Sequence, residues 1–385
     1  MTQEPSPDAR FLVLTELFLP TKGGTAVWAA EVYKRLGGKG IHIVTADVPG
    51  AKEFDASHPN SVHRLDLRRV PWLRPESLGM YVRFFVKSLA LALTHRFSAI
   101  HAFRALPEGL VAWLVARLTL RPVVIYAHGE ELTTWGRGNK YRAMRFALRH
   151  AHRVVANSGY TRDTLVSMGV EPARIRLIHP GADLERFRPG LDTAGLREGL
   201  GIGPREKLVF AVGRLSRRKG FDRLVEAVAR LGREGRDVRC VLGGIGEDAE
   251  YLDGIITRLD ARARVHRIGA VAEEDLPRWM NACDLFAMPN REIEGDTEGF
   301  GMVFIEASAC GKPVLGGRAG GVPSAVEDGV TGLLVDGDDV ESVYRGLRRL
   351  LDRPDLARDL GASGLARARQ RFSWERVAAV TLESL

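Results

Sequence analysis

The sequence predicts an α/β protein made of two doubly wound domains in tandem, on three observations. Short β-rich runs alternate with helical patterns almost from end to end, the pattern of mainly parallel sheets. The runs form two series, separated by the Pro- and Gly-bearing segment HPGADLERFRPG (179–190). A length of 385 residues is enough for two or three cores of ordinary domain size.

The first series reads FLVLTEL (11–17), HIVTAD (42–47), SAIHAF (98–103), VVIYAH (123–128) and RVVANS (153–158). The second reads LVFAVGRL (208–215), RCVLGG (239–244), RVHRIG (264–269), DLFAMP (284–289), PVLGG (313–317) and GLLVD (332–336). Helices fill the gaps. After Lys219-Gly220, for example, Phe221, Leu224, Val225, Val228 and Leu231 recur at three- and four-residue spacing, one apolar face. The expected domains are 1–185 and 186–372, with a helix-like tail, SWERVAAVTLESL (373–385), that Ser373 can cap. Ligands of open α/β sheets bind at the carboxyl ends of strands beside a switch in strand order, so site residues are sought there.

Composition sets the class. With 45% apolar, 27% charged and 7% aromatic residues, the chain is an ordinary globular protein, not a disordered or collagen-like one. Net charge is +8, unevenly placed: residues 1–190 hold 27 Lys/Arg against 16 Asp/Glu, so the first half should attract an anion or an anionic surface. Cys240, Cys283 and Cys310 stand far apart without CxxC pairing and read as core residues of a reducing compartment. The start shows no secretory pattern, and no apolar run approaches the roughly 18 residues of a membrane span. The expectation is a cytoplasmic protein.

Four constellations sit at strand ends. In PTKGGTA (20–26), Gly23 and Gly24 precede a helix-like run, where backbone amides can approach a phosphate; a tight turn explains them equally. This is neither GxGxxG nor a P-loop. In VGRLSRRKGF (212–221), Arg214 ends a strand and Lys219 opens a helix, two cations suited to a diphosphate, while Arg217 and Arg218 between them read as a solvated turn. In EGFGMVFIEA, Glu298 lies in a loop before a helix and Glu306 one to two turns inside it, with Gly299 and Gly301 exposing amides to a ligand. The bland alternative makes Glu298 a helix-dipole partner and Glu306 a surface charge. In YAHGEEL (126–132), His128 ends a strand and is either a site residue or a satisfied structural histidine. The Gly-rich GGIG (243–246) and GGRAGGVPS (316–324) are binding loops or close-packing turns.

In this order, GG, HGE, GRLSRRKG, GGIG and EGFGMVFIEASACGKPV resemble the retaining glycosyltransferases of family four, with the GT-B fold, over nearly the whole chain. Glu-x7-Glu with Arg-x4-Lys upstream is the specific part. The resemblance implies two Rossmann-like domains facing a central cleft around a nucleotide sugar, with the last helix crossing back onto the first domain. Matched by position, it implies that Arg214 and Lys219 bind the donor diphosphate and neutralise the leaving group, and that Glu306 holds the ribose hydroxyls. It further implies that Glu298, with the amides of Gly299, Phe300, Gly301 and Met302, holds the donor sugar. Gly23 and Gly24 would border the diphosphate or an acceptor phosphate, His128 would lie near the anomeric centre, and the base would stack near Arg267 and Ile268. Cations and amides can meet the charge that develops on a departing phosphate, so no metal or further cofactor is expected. The nearest DxD, Asp336-Gly337-Asp338, reads as a turn. Retention without a carboxylate nucleophile is implied to proceed by departure and attack on one face.

The loop PNREIEGDTEGFG (289–301) is similar to that of bacterial mannosyltransferases extending phosphatidylinositol mannosides, which favours GDP-mannose over UDP-glucose or UDP-N-acetylglucosamine. Residues 63–96 mix seven Lys/Arg with Trp72, Tyr81, Phe84 and Phe85, and RGNKYRAMRFALRH (137–150) adds positive charge. These suit peripheral contact with an anionic membrane and a lipid-linked or glycan acceptor, although such helices also pack on sheets with their arginines merely solvated. Two rivals are weighed. A sugar-nucleotide 2-epimerase would share the fold, but the Glu-x7-Glu pattern opposes it. A nucleic-acid-binding protein would share the charge, but no aromatic-interleaved stacking motif is present, so nucleic acid is not an expected partner.

Overall fold

The computed structural model describes residues 9–21, 23–68, 76–134 and 138–384, arranged as two compact units. Trp72 and Lys22 lie outside the described residues. Unit 1 comprises the chain up to Pro180 together with the segment from Trp374 onward; unit 2 runs from Gly181 to Ser373.

Unit 1 contains β1 (Phe11–Leu14), β2 (His42–Ala46), β3 (Ser61–Leu65), β4 (Ala99–Ala102), β5 (Val123–Ala127), β6 (Arg153–Ala156) and β7 (Ile175–Leu177). They form one sheet in the order β3-β2-β1-β4-β5-β6-β7, with every described pairing parallel. Unit 2 contains β8 (Lys207–Val212), β9 (Val238–Gly243), β10 (Val265–Gly269), β11 (Leu285–Met288), β12 (Val314–Gly317) and β13 (Leu333–Val335), again parallel, in the order β10-β9-β8-β11-β12-β13. Both units are therefore Rossmann-like, with a topological switch between β1 and β4 in one and between β8 and β11 in the other.

Buried strands carry the cores. Phe210, Val209 and Phe286 of unit 2 are fully covered, packed with Leu224, Val225 and Val228, the apolar stripe of the helix Phe221–Arg233. In unit 1 the helices Leu78–Thr94, Leu110–Thr119 and Asn139–His150 share one core with one face of the sheet through Phe84, Val115 and Met144. The last helix, Trp374–Glu383, buries Trp374, Val377 and Ala378 and packs on the helix Gly24–Leu36, where Arg35 Nε meets Glu375 at 2.8 Å. The three cysteines are free and buried.

Two strands escaped the sequence reading, and each has a reason. β3 reads Ser-Val-His-Arg-Leu, and its polar residues have local partners: Arg64 forks onto Asp55 at 2.7 and 3.0 Å, and His63 meets His42 at 3.0 Å. β7 is three residues at the sheet edge. Most expected strands run longer than the observed ones at their carboxyl ends because the chain leaves the sheet there to build loops; Gly213, for instance, departs from β8 at φ 159°. The unit boundary falls at 180/181, five residues ahead of the expected position, because the Ala182 amide bonds the Phe372 carbonyl and ties the linker to unit 2.

Candidate functional site

In unit 2 the carboxyl ends of β8 and β11 flank the switch point, and a charged cluster is assembled there. After β8, the chain forms a tight turn, Arg217–Lys219, and reaches Gly220 at φ 72°. A Cβ on Gly220 would stand 1.9 Å from the Pro289 carbonyl oxygen, so only glycine lets this turn lie against the end of β11. That contact brings Lys219 to the loop holding Glu298. The Glu298 carboxylate then receives Lys219 Nζ, Arg218 at 3.4 Å and Asn290 Nδ2 at 3.1 Å, all on Oε2. Burial opposes ionisation of Glu298, but Lys219 and Arg218 outweigh it and hold the carboxyl below its usual range.

This corrects the reading of Arg218 as a solvated turn residue. Its side chain is mostly buried and also meets Asp296 at 3.1 Å, while the neighbouring Arg217 lies over the Tyr251 ring and pairs with Asp248. Lys219 closes that turn and does not open the helix, which begins at Phe221. Beneath the cluster Arg291 and Asp222 form a buried ion pair at 2.8 Å, and the Arg291 amide donates to the Arg218 carbonyl, fixing the turn. Arg218, Asn290 and Arg291 are the residues the sequence reading missed. Their only signal was position, since Arg218 lies in the turn after β8 and Asn290 and Arg291 follow β11 after Pro289.

The helix Met302–Ala309 starts from Gly301, at φ 91°, whose Cβ position lies 2.7 Å from the Phe304 ring. The first amides of this helix, beginning at Met302, have no side-chain cap and face the start of the helix, an anion-friendly terminus. Gly301 and Glu298 are in contact range, the Gly301 Cβ position being 3.6 Å from Glu298 Cγ. Phe300 is buried. Glu306 lies inside the helix, half-buried, and burial pushes its carboxyl up to about 7. The Gly-rich segments pack closely around these loops: Gly244 against the Gly213 carbonyl, Gly317 against Asn290 and Gly320 against the Glu298 carbonyl.

Three expected residues stand apart from the cluster. Arg214 is 71% exposed and pairs with Glu247 at 3.0 Å. Arg267 is forked onto Asp253, both distances 2.7 Å, and Ile268 packs against the unit 2 core. The turn at Asp336 is closed by the Asp338 amide donating to the Asp336 carboxylate.

In unit 1, Gly23 at φ 140° precedes the helix Gly24–Leu36, and no atom stands within 4 Å of a Cβ placed there. Trp28 of the same helix meets the His128 ring edge-on at 5.5 Å, so the glycines and His128 lie together at the carboxyl end of the sheet. His128 Nε2 lies 2.6 Å from the Phe103 carbonyl oxygen, which can only accept, so this nitrogen carries the proton and Nδ1 is left with a lone pair. Burial lowers its pKa, which keeps the ring neutral. Nearby, Glu108 is completely buried: Oε1 accepts the Glu16 amide at 2.7 Å, and Oε2 has no partner.

The chain matches two family models, glycosyltransferase family 4 over residues 22–186 and glycosyl transferases group 1 over 192–367. It is 32% identical over 373 residues to the GDP-mannose-dependent alpha-(1-6)-phosphatidylinositol monomannoside mannosyltransferase of Mycolicibacterium smegmatis, covering 94% of each chain. To the D-inositol 3-phosphate glycosyltransferase of Mycobacterium sp. it is 40% identical over 209 residues, 53% of this chain and 45% of the other. Among solved structures, HepE of Anabaena in complex with UDP aligns over 98% of this chain and 100% of its own with TM-score 0.82 at 24% identity, which shows a shared fold. Sucrose-phosphate synthase of Thermosynechococcus elongatus aligns over 97% and 98% with TM-score 0.79 at 22% identity.

Proposed function

This chain belongs to glycosyltransferase family 4, and from that membership we propose that it moves a hexose, mannose from GDP-mannose, onto a lipid-linked or glycan acceptor, with retention and without a metal ion. The observation that carries the proposal is the Lys219–Glu298–Arg218 cluster at the switch point of unit 2. A donor diphosphate takes over the Lys219 ammonium, Arg214 swings from the exposed Glu247 pair to the same phosphates, and the Glu298 oxygens turn to sugar hydroxyls. Glu306 receives the ribose hydroxyls, and the amides that begin the helix at Met302 face the sugar or phosphate. The base lies near Arg267 and Ile268.

As the C1–O bond to the β-phosphate breaks, negative charge grows on the leaving oxygen, where preorganised cations stabilise it. The acceptor oxygen bonds C1 on the same face and its proton passes to the departing phosphate. His128, neutral and with Nδ1 free to accept, serves a sugar hydroxyl; Gly23 and Gly24 leave room for a phosphate. The dependence of the mycobacterial relative on GDP-mannose supports the choice of donor.

The reading extends to peripheral contact with an anionic membrane through unit 1. The helix Leu78–Thr94 exposes Leu78, Val82, Val86 and Leu93 to solvent beside Arg83 and Lys87, the composition of an interfacial helix. Among the described residues no helix is long and apolar enough to cross a membrane.

The test is a thermal-shift panel of GDP, UDP, ADP and TDP with their sugars, with and without EDTA. GDP and GDP-mannose at 100 times their dissociation constants should stabilise the protein by about 2.7 kcal/mol, several degrees, and EDTA should leave the shift intact. A shift confined to another base reassigns the donor; no shift with any nucleotide overturns the proposal.

A further inference from the structure

The amino-terminal ends of β5 and β6 lie at the end of the unit 1 sheet opposite His128. There, a depression of about 620 Å³ is lined by Arg117, Arg121, Arg153, Arg174, His150 and His152, and none of its described lining residues is acidic. Glu171, outside the lining, pairs with Arg174 at 3.0 Å. Arg153 Nε is buried without a hydrogen-bond partner, Arg121 is half-buried and Arg117 is exposed to solvent. Four guanidiniums are thus gathered with one carboxylate beside them, a concentration of positive charge that favours an anion.

The rim of this depression is apolar. Leu120 ends the helix Leu110–Thr119 in the left-handed conformation, φ 53° and ψ 43°, where glycine or asparagine is the relaxed choice. It is 89% exposed, so the fold gains almost no burial from a strained leucine. Leu118, in the last turn of the same helix, is 63% exposed. Water-facing leucines beside a cluster of arginines match a ligand that carries both a phosphate and hydrocarbon.

We propose that this pocket seats the phosphate of an anionic phospholipid headgroup while Leu118 and Leu120 enter the acyl region beside it. The inference rests on the membrane contact proposed above and extends it. The helix Leu110–Thr119 packs beside the helix Leu78–Thr94 in the same layer, and both expose leucines, Leu118 on one and Leu93 on the other. A single plane of lipid then meets the helix faces and the pocket together, on the side of unit 1 away from the His128 end of β5.

The experiment is vesicle co-sedimentation of the full chain, using phosphatidylcholine vesicles with or without phosphatidylglycerol. The expected result is binding only when phosphatidylglycerol is present. The double variant Arg117→Ser/Arg153→Ser should bind about 30-fold more weakly, from the loss of two basic residues at an anionic surface. Leu120→Gly should weaken binding several-fold with an unchanged or raised melting temperature, because glycine relaxes the left-handed position and misfolding cannot explain the loss. Unchanged binding in both variants overturns the pocket. If Val82→Asp/Val86→Asp alone abolishes that binding, the helix contact stands and the pocket falls; no vesicle binding by the wild type overturns both. Arginine-dependent binding of inorganic pyrophosphate by calorimetry, without any vesicle binding, assigns the site to a free phosphate and overturns the lipid.

Discussion

Glu306 gives a pH signature that separates a ribose ligand from a structural carboxyl. Burial raises it to about 7, with Arg186 opposing and Glu273 assisting the rise, so its ionisation falls within the range of an ordinary pH series. A carboxylate accepts from both ribose hydroxyls; the acid must spend one oxygen as a donor. About a tenth of the molecules are ionised at pH 6 and about nine-tenths at pH 8, so the observed affinity for GDP-mannose should tighten roughly tenfold, or about 1.4 kcal/mol, over that interval. The donor is a diphosphate diester with no group titrating in this range, so the slope belongs to the protein. Glu306→Gln should be flat across the interval and weaker than wild type at pH 8. Isothermal titration calorimetry in buffers of matched ionic strength reads both. Parallel profiles for wild type and Glu306→Gln, whether flat or sloping, would refute the role of Glu306 in holding the ribose.

Three further outcomes follow from the same geometry. Lys219→Ala should lower turnover by about 10²–10³, the usual loss for one preorganised donor at a developing charge, and near-normal turnover would remove Lys219 from the leaving-group role. Glu108 is also pushed up to about 7 by burial, so its folded pKa is raised: its contribution is full below the unfolded carboxyl value and is lost as pH rises through about 7. Thermal unfolding of Glu108→Gln should therefore give a higher midpoint than wild type at pH 8 and a smaller difference at pH 5, with a ceiling of about 3 kcal/mol; equal midpoints at pH 8 would refute the burial cost of the ionised carboxyl. Asp222→Ala strands the buried Arg291 guanidinium and should cost about 3–5 kcal/mol in urea unfolding, and a loss under about 1 kcal/mol would show that the pair does not hold the turn.

The topology was legible because both sheets are parallel and covered by helices, which leaves central strands as near-continuous apolar runs such as Leu208–Val212. Edge strands have no such constraint. β3 keeps His63 and Arg64 because one side chain finds another histidine and the other an aspartate, and β7 is too short to show a period. The carboxyl ends were misjudged for a related reason. Residues such as Gly213 and Leu215 still look strand-like, yet the chain turns away to bring Lys219 against Pro289.

The treatment of Arg218 shows how far residue type alone can carry a site. In Ser-Arg-Arg-Lys the two arginines are chemically identical and both look solvated. What separates them is a turn that sends Arg217 over Tyr251 and Arg218 inward to Asp296 and Glu298. That turn depends on Gly220, which admits the Pro289 carbonyl, and on Arg291, whose amide bonds the Arg218 carbonyl. Both partners lie about seventy positions further along the chain, so local pattern could not reveal them. Glu298 was recognisable from its glycines, but its ionisation is set by this long-range pairing: burial alone would raise its pKa as it does that of Glu306, and the two cations reverse the sign. The two glutamates of one motif thus differ in ionisation, Glu298 held as a carboxylate beside Lys219 and Arg218 and Glu306 raised by burial to about 7.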